Sequence, residues 1–197
     1  MRQRSSKAVT ICLAGLIFAV PLIHPPKAIA QEARYTVMAA FLFNFLLFTE
    51  WPAHDSLDEG PFIIGVVGSN PFEHAAPTLE QRQAGGRSIR FVHYERIADL
   101  EPTHILFVTT AVDSLLSDIH SALDDVPVVL VGESGDFTAR GGVIRFFDEA
   151  TKSARTETAL RVEINRLSAE ARQIRFRSQL LRLAHVVDYP MPAAEPP

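Results

Sequence analysis

Between Val37 and Phe48 the chain carries one polar residue, Asn44, in the run VMAAFLFNFLLF, and Trp51-Pro52 follows shortly after. The run contains neither Gly nor Pro, so it predicts a helix that stops before Pro52, where the residue preceding proline is pushed out of the helical region. Phe41, Phe45 and Phe48 fall at i, i+4 and i+7 and share one stripe, while Leu42, Phe43, Leu46 and Leu47 fill the other faces. A helix that is apolar all round must be covered on every side. A run of twelve residues, eleven of them apolar, is too short to cross a bilayer, which takes about twenty. One side is expected to meet a sheet and another the C-terminal segment, through Leu180, Leu181, Leu183 and Ala184. What remains, Phe41, Phe45 and Phe48 with Trp51, is the candidate surface for a partner or a second copy, because aromatic and Leu side chains make such patches.

Downstream the pattern changes. PFIIGVVG (61–68), THILFVTT (103–110) and PVVLVGES (127–134) are near-continuous apolar strands, and RSIRFVHY (87–94) alternates as a half-buried one. SNPFEHAAPTLEQRQ between them reads as a helix with Ser69 or Asn70 as N-cap and Pro71 at its first position. ERIADLEP reads as a short turn. AVDSLLSDIHSALDD (111–125) places Leu115, Leu116, Ile119 and Leu123 on one helical stripe. Apolar strands separated by helices predict a parallel sheet covered on both faces. GGVIRFFDE (141–149) and TALRVEIN (158–165), joined by a polar loop, read as an antiparallel pair. Asn165 is out of place in a strand and is expected to cap the helix RLSAE that follows. The remaining segment, to Asp188, reads as helical with a break around 173–176. The fold class is therefore α/β: a single domain, a mostly parallel sheet flanked by helices, with an antiparallel strand pair near one edge.

The ends change the count. MRQRSSK supplies Arg2, Arg4 and Lys7, an apolar run follows, and Ala28-Ile29-Ala30 completes the tripartite pattern of a secretory signal peptide. The expected division is residues 1–30 as signal, 31–189 as one α/β domain, and 190–197 as a Pro-rich disordered tail. Cleavage after Ala30 leaves 167 residues and removes four basic ones, so 15 basic face 23 acidic, a net of −8. Such a chain has no basic patch for nucleic acid. It also loses its one cysteine, Cys12. The mature chain has no disulfide and no thiol nucleophile, so stability rests on an ordinary core, which a chain of this size can build.

Catalytic chemistry finds little support. GESGD (132–136) is similar to a nucleophile elbow, yet Asp136 stands where the second Gly belongs and no helix follows. The six histidines after residue 30 include no pair at i+3 or i+4, and no cysteine joins them, so no metal site and no cofactor are expected. The arginines of the last segment, Arg172, Arg175, Arg177 and Arg182, read as a solvated face. One constellation remains. Parallel strands would bring Ser69 and Asn70, Thr109 and Thr110, and Glu133 and Ser134 to the carboxyl edge of the sheet, where open sheets bind small ligands. Loops at that edge also favour small polar residues without a ligand.

YTVMAAFLFNFLLFTEWP, with its Phe-x-x-Asn-Phe and Trp-Pro, then GGVIRFF, LRVEIN and RLSAEARQIRFRSQLLRLAHVV in that order, closely resemble the YfiR family across residues 34 to 187. The resemblance implies a non-enzymatic periplasmic protein that binds the periplasmic portion of an inner-membrane diguanylate cyclase and holds it inactive, lowering cyclic di-GMP and biofilm formation. It further implies a homodimer, and an outer-membrane lipoprotein that relieves repression by sequestering it. Some such proteins carry disulfide-forming cysteines, and this mature chain has none. The alternative reading is a small-solute-binding sensory protein using the carboxyl edge.

Overall fold

The computed structural model describes residues 27–53, 57–150 and 158–192. The apolar run forms the C-terminal part of a 22-residue helix, α1 (Lys27–Phe48), followed by a short strand, β1 (Thr49–Glu50). Then come β2 (Phe62–Val67), α2 (Ala76–Glu80), β3 (Gln83–Ala84), β4 (Arg87–Tyr94), β5 (Ile105–Val108), α3 (Leu116–Ala122), β6 (Val129–Gly132), β7 (Ile144–Ala150) and β8 (Thr158–Asn165). The chain closes with α4 (Arg166–Ala171), β9 (Arg175–Phe176), α5 (Ser178–Leu181) and β10 (His185–Val187). None of the described helices is long and apolar enough to cross a membrane.

The main sheet runs β10-β8-β7-β6-β5-β2-β4-β3, and β1 pairs with β9 as a separate two-stranded sheet. Strands β4, β2, β5, β6 and β7 are parallel; β8 is antiparallel to β7, and β3 to β4. The α/β class, the mostly parallel sheet and the antiparallel pair near one edge are as the apolar periodicity predicts, with β10 added outside β8. The strand order reverses between β2 and β5, so right-handed crossovers put α2 and α3 on opposite faces. On the face of α2, helix α1 lays Met38, Leu42 and Phe45, all without accessible surface, against the sheet. The Phe45 ring stacks on Phe146 at 5.8 Å, and Phe72 meets Phe107 edge-on at 4.8 Å.

Several expected elements are shorter or different. The helix expected from Ser69 or Asn70 begins only at Ala76, with Pro77, not Pro71, in its first turn. Asn70 Oδ1 instead accepts the Phe72 backbone N–H at 2.9 Å, holding a turn. In the 111–125 segment a 3₁₀ turn at Asp113–Leu115 precedes α3, and its tighter winding rotates Leu115 off the buried stripe of Leu116, Ile119 and Leu123. The C-terminal segment is no single helix. It breaks into α4, β9, α5 and β10, and His185 lies exposed on a strand paired with β8.

The first break has a local cause. Gln173 adopts φ of 58°, its N–H donates to the Glu170 carbonyl, and the N–H of buried Ile174 reaches back to Ala169. This is a Schellman cap with glutamine where glycine is preferred. Gln173→Gly should therefore stabilise the protein, by roughly 0.5–1 kcal/mol, as relief of the left-handed penalty on a side chain that is exposed. A denaturant midpoint that does not rise would contradict this.

Candidate functional site

The carboxyl edge gathers the six expected residues, but most of their polar groups serve the chain itself. Thr109 is buried, and both its N–H (3.2 Å) and its hydroxyl (2.9 Å) donate to the Val67 carbonyl. Gly68, at φ of 93°, passes so close that a Cβ there would collide with Thr109 Oγ1. Asn70 holds its turn, and the Ser134 carbonyl accepts the Phe137 N–H at 3.2 Å. Glu133 accepts from Arg34 and, at 3.0 Å, from the Tyr35 hydroxyl, so the N-terminal half of α1 is tied over this edge. Ser69 and Thr110 are the two left exposed.

The apolar surface divides differently from its sequence stripe. Phe45 is wholly buried, packed among Phe41 and Phe146, and belongs to the core rather than to any surface. Phe41 and Phe48 are half-buried. With Asn44, Val162, Leu180, Leu183 and Ala184 they line a groove of about 90 Å³ between α1 and α5. Leu180 seals the floor of the helix pair, as expected. Leu183 does not: it is 77 % exposed and stands at the rim of the groove. Asn44, the one polar residue of the run, faces outward beside it.

Trp51 belongs to a second cluster. Its ring packs on Phe62 at 5.6 Å and edge-on to His104 at 5.4 Å, and Phe62 meets His104 at 4.7 Å. His104 sits at the entrance of β5, 2 % exposed. Its Nδ1 accepts the Ile63 backbone N–H at 3.1 Å, so Nε2 carries the ring proton and donates to the Leu57 carbonyl at 3.2 Å. Burial, and then the nearby Arg87 guanidinium, push the imidazole down to about 4, and it is neutral at pH 7. Arg87 lies 4.1 Å over the Phe62 ring and donates to the carbonyls of Leu57 and Gly60. Sequence reasoning passed over His104 and Arg87, whose partners come from β2 and the loop before it.

A cleft of about 740 Å³ opens on the other side of the molecule between α3, the turn at Arg140, the end of α4 and Met191–Pro192. Ser114, Ser117 and Ser121 form its polar wall. Arg172, expected on a solvated face, is instead drawn inward, donating to the carbonyls of Leu123 (3.0 Å) and Val126 (3.1 Å) at the end of α3 and to His120 Nδ1 (2.7 Å). A cation suits that position, just past a helix C-terminus, where the helix dipole is negative. Burial and then Arg172 push His120 down to about 4. Among the described residues no three His, Asp or Glu side chains cluster as metal ligands.

The comparisons with known proteins add one finding. No curated protein matches the sequence significantly. The YfiR/HmsC-like family matches residues 35–185, from Tyr35 on α1 to His185 at the start of β10, which takes in β1 to β9. The chain belongs to the YfiR/HmsC-like family.

Proposed function

We propose that this protein is a periplasmic repressor of an inner-membrane diguanylate cyclase, acting by binding the cyclase's periplasmic portion and so lowering cyclic di-GMP. Family membership over residues 35–185 is the observation that carries the reading. The half-buried aromatics Phe41 and Phe48, the exposed Leu183 beside them and Trp51 past the helix end supply the docking surface, an apolar patch of the composition that partners bury. The same kind of surface serves a homodimer, and capture by an outer-membrane lipoprotein would relieve repression by competing for it. Export follows from the N-terminal signal, cleaved after Ala30. Residues 29–33 of α1 are all exposed, so cleavage there removes no described core residue. The action is binding, not catalysis.

Deleting the gene should raise cellular cyclic di-GMP several-fold, and restoring the exported protein should lower it again. Equal nucleotide levels in the two strains, with the protein shown to be in the periplasm, would count against the reading. A second reading, small-solute binding, draws support from the serine-lined cleft beside α3, not from the carboxyl edge.

A further inference from the structure

Three features converge on His104. With Arg87 it joins the loop before β2 to the sheet, through Ile63 N–H on one ring nitrogen and the Leu57 carbonyl on the other. It forms one wall of the Trp51 cluster, with Phe62 as the other. And one of the two bonds, the one accepted from Ile63, exists only in the neutral ring, whereas the donation to Leu57 survives protonation. A second ring proton would place N–H on Nδ1 facing the Ile63 N–H, donor against donor, inside a buried site with little surface to rehydrate it. Among the described residues, the charged groups acting on the ring are Arg87 from β4, which opposes its protonation, and Asp58 from the loop, which favours it.

We propose that His104 is a pH-sensitive clamp: acidification breaks its bond to Ile63, turns the ring out of its place against Trp51 and Phe62 and frees Trp51, weakening the grip on the partner. Regulation of the partner rests on the docking role of Trp51 proposed above; the clamp itself does not. An exported protein meets the pH of its surroundings, so such a device would couple external acid to release of the cyclase. Clamped, the imidazole titrates at about 4; released, near 6.5. The opening therefore has its midpoint between those values, nearer the lower the tighter the clamp.

Trp51 is the only tryptophan in the chain, so intrinsic fluorescence reports this site alone. Between pH 7.5 and 4 the purified mature protein should show a red-shifted Trp51 emission before far-ultraviolet circular dichroism changes. In the same range hydrogen exchange at the Ile63 amide, corrected for its intrinsic pH dependence, should accelerate at least ten-fold relative to Ile64. His104→Gln keeps one acceptor and one donor but cannot titrate, and its emission should be flat over the range. Should that variant fail to fold, the Ile63 exchange of the wild-type protein decides alone. Emission and exchange that change only with global unfolding overturn the clamp. Affinity for the cyclase's periplasmic portion should fall at least ten-fold from pH 7.5 to 4 in step with the emission. A working clamp with pH-independent binding overturns its regulatory role, while no binding even at pH 7.5 overturns the docking reading and leaves the clamp standing.

Discussion

Phe45→Glu should unfold the protein, whereas Leu183→Glu should leave its circular dichroism and melting temperature unchanged and raise cellular cyclic di-GMP toward the level of a deletion. Truncating a buried phenylalanine alone costs about 3–5 kcal/mol. A carboxylate at the Phe45 site, with no accessible surface and Phe41 and Phe146 around it, adds the burial of an unpaired charge. The total rivals the whole stability of a domain, about 5–15 kcal/mol. Leu183 is 77 % exposed and contributes little to folding. Under a partner docked over the groove, however, a charge at this position must be desolvated. Phe48→Glu lies between the two: half-buried, it should cost roughly 1–3 kcal/mol, still fold, and derepress. Folding is read by circular dichroism and repression by nucleotide extraction. Normal folding of Phe45→Glu, or full repression by Leu183→Glu and Phe48→Glu together, would contradict the division of α1 into a core face and a docking face.

The second large effect is at Asn165. Sequence reasoning expects an N-cap, tolerant of aspartate. The cap is there: Oδ1 accepts from the N–H groups of Leu167 (3.2 Å) and Ser168 (3.5 Å). Yet the residue has no accessible surface, and its amide nitrogen faces the carbonyls of Thr138 (3.0 Å) and Tyr189 (2.9 Å) and the Ser168 hydroxyl (2.8 Å). Aspartate keeps the cap but turns an oxygen toward two carbonyls that can only accept. Asn165→Ala should cost about 2–4 kcal/mol, a lost cap plus unsatisfied buried acceptors. Asn165→Asp should cost at least as much at pH 7, and less as acid protonates the carboxylate into a donor. Denaturant unfolding of the two variants checks the order; an aspartate variant near wild-type stability would show that the donor side is idle.

Asn165 marks where the sequence stops being legible. Its rank as a strand-ending cap follows from local preference, and β8 runs over Thr158–Asn165 as its pattern predicts. Strands β2, β5 and β6 are equally plain because burial on both faces writes an unbroken apolar run. Elements held by tertiary pairing leave no such trace. Two-residue β1 and β9 exist through each other, and β10 reads as helix until β8 offers it an edge. The same limit governs the site. Greasy α1 announces itself, but which of its aromatics face outward depends on where Phe146 and α5 lie. His104 takes its partners from positions 41 and 47 residues away, and Arg172 from 46 to 52 away, so neither role is written locally.

In the proposed function this protein holds a cyclase by the surface of α1 and α5. Calorimetric titration of the purified mature protein with the periplasmic portion of an inner-membrane diguanylate cyclase from the same cell tests it most directly. Saturable binding is expected at pH 7.5, weakened at least ten-fold by Leu183→Glu in a protein whose circular dichroism is unchanged. Binding of undiminished strength by a folded Leu183→Glu, Phe48→Glu double variant would contradict it.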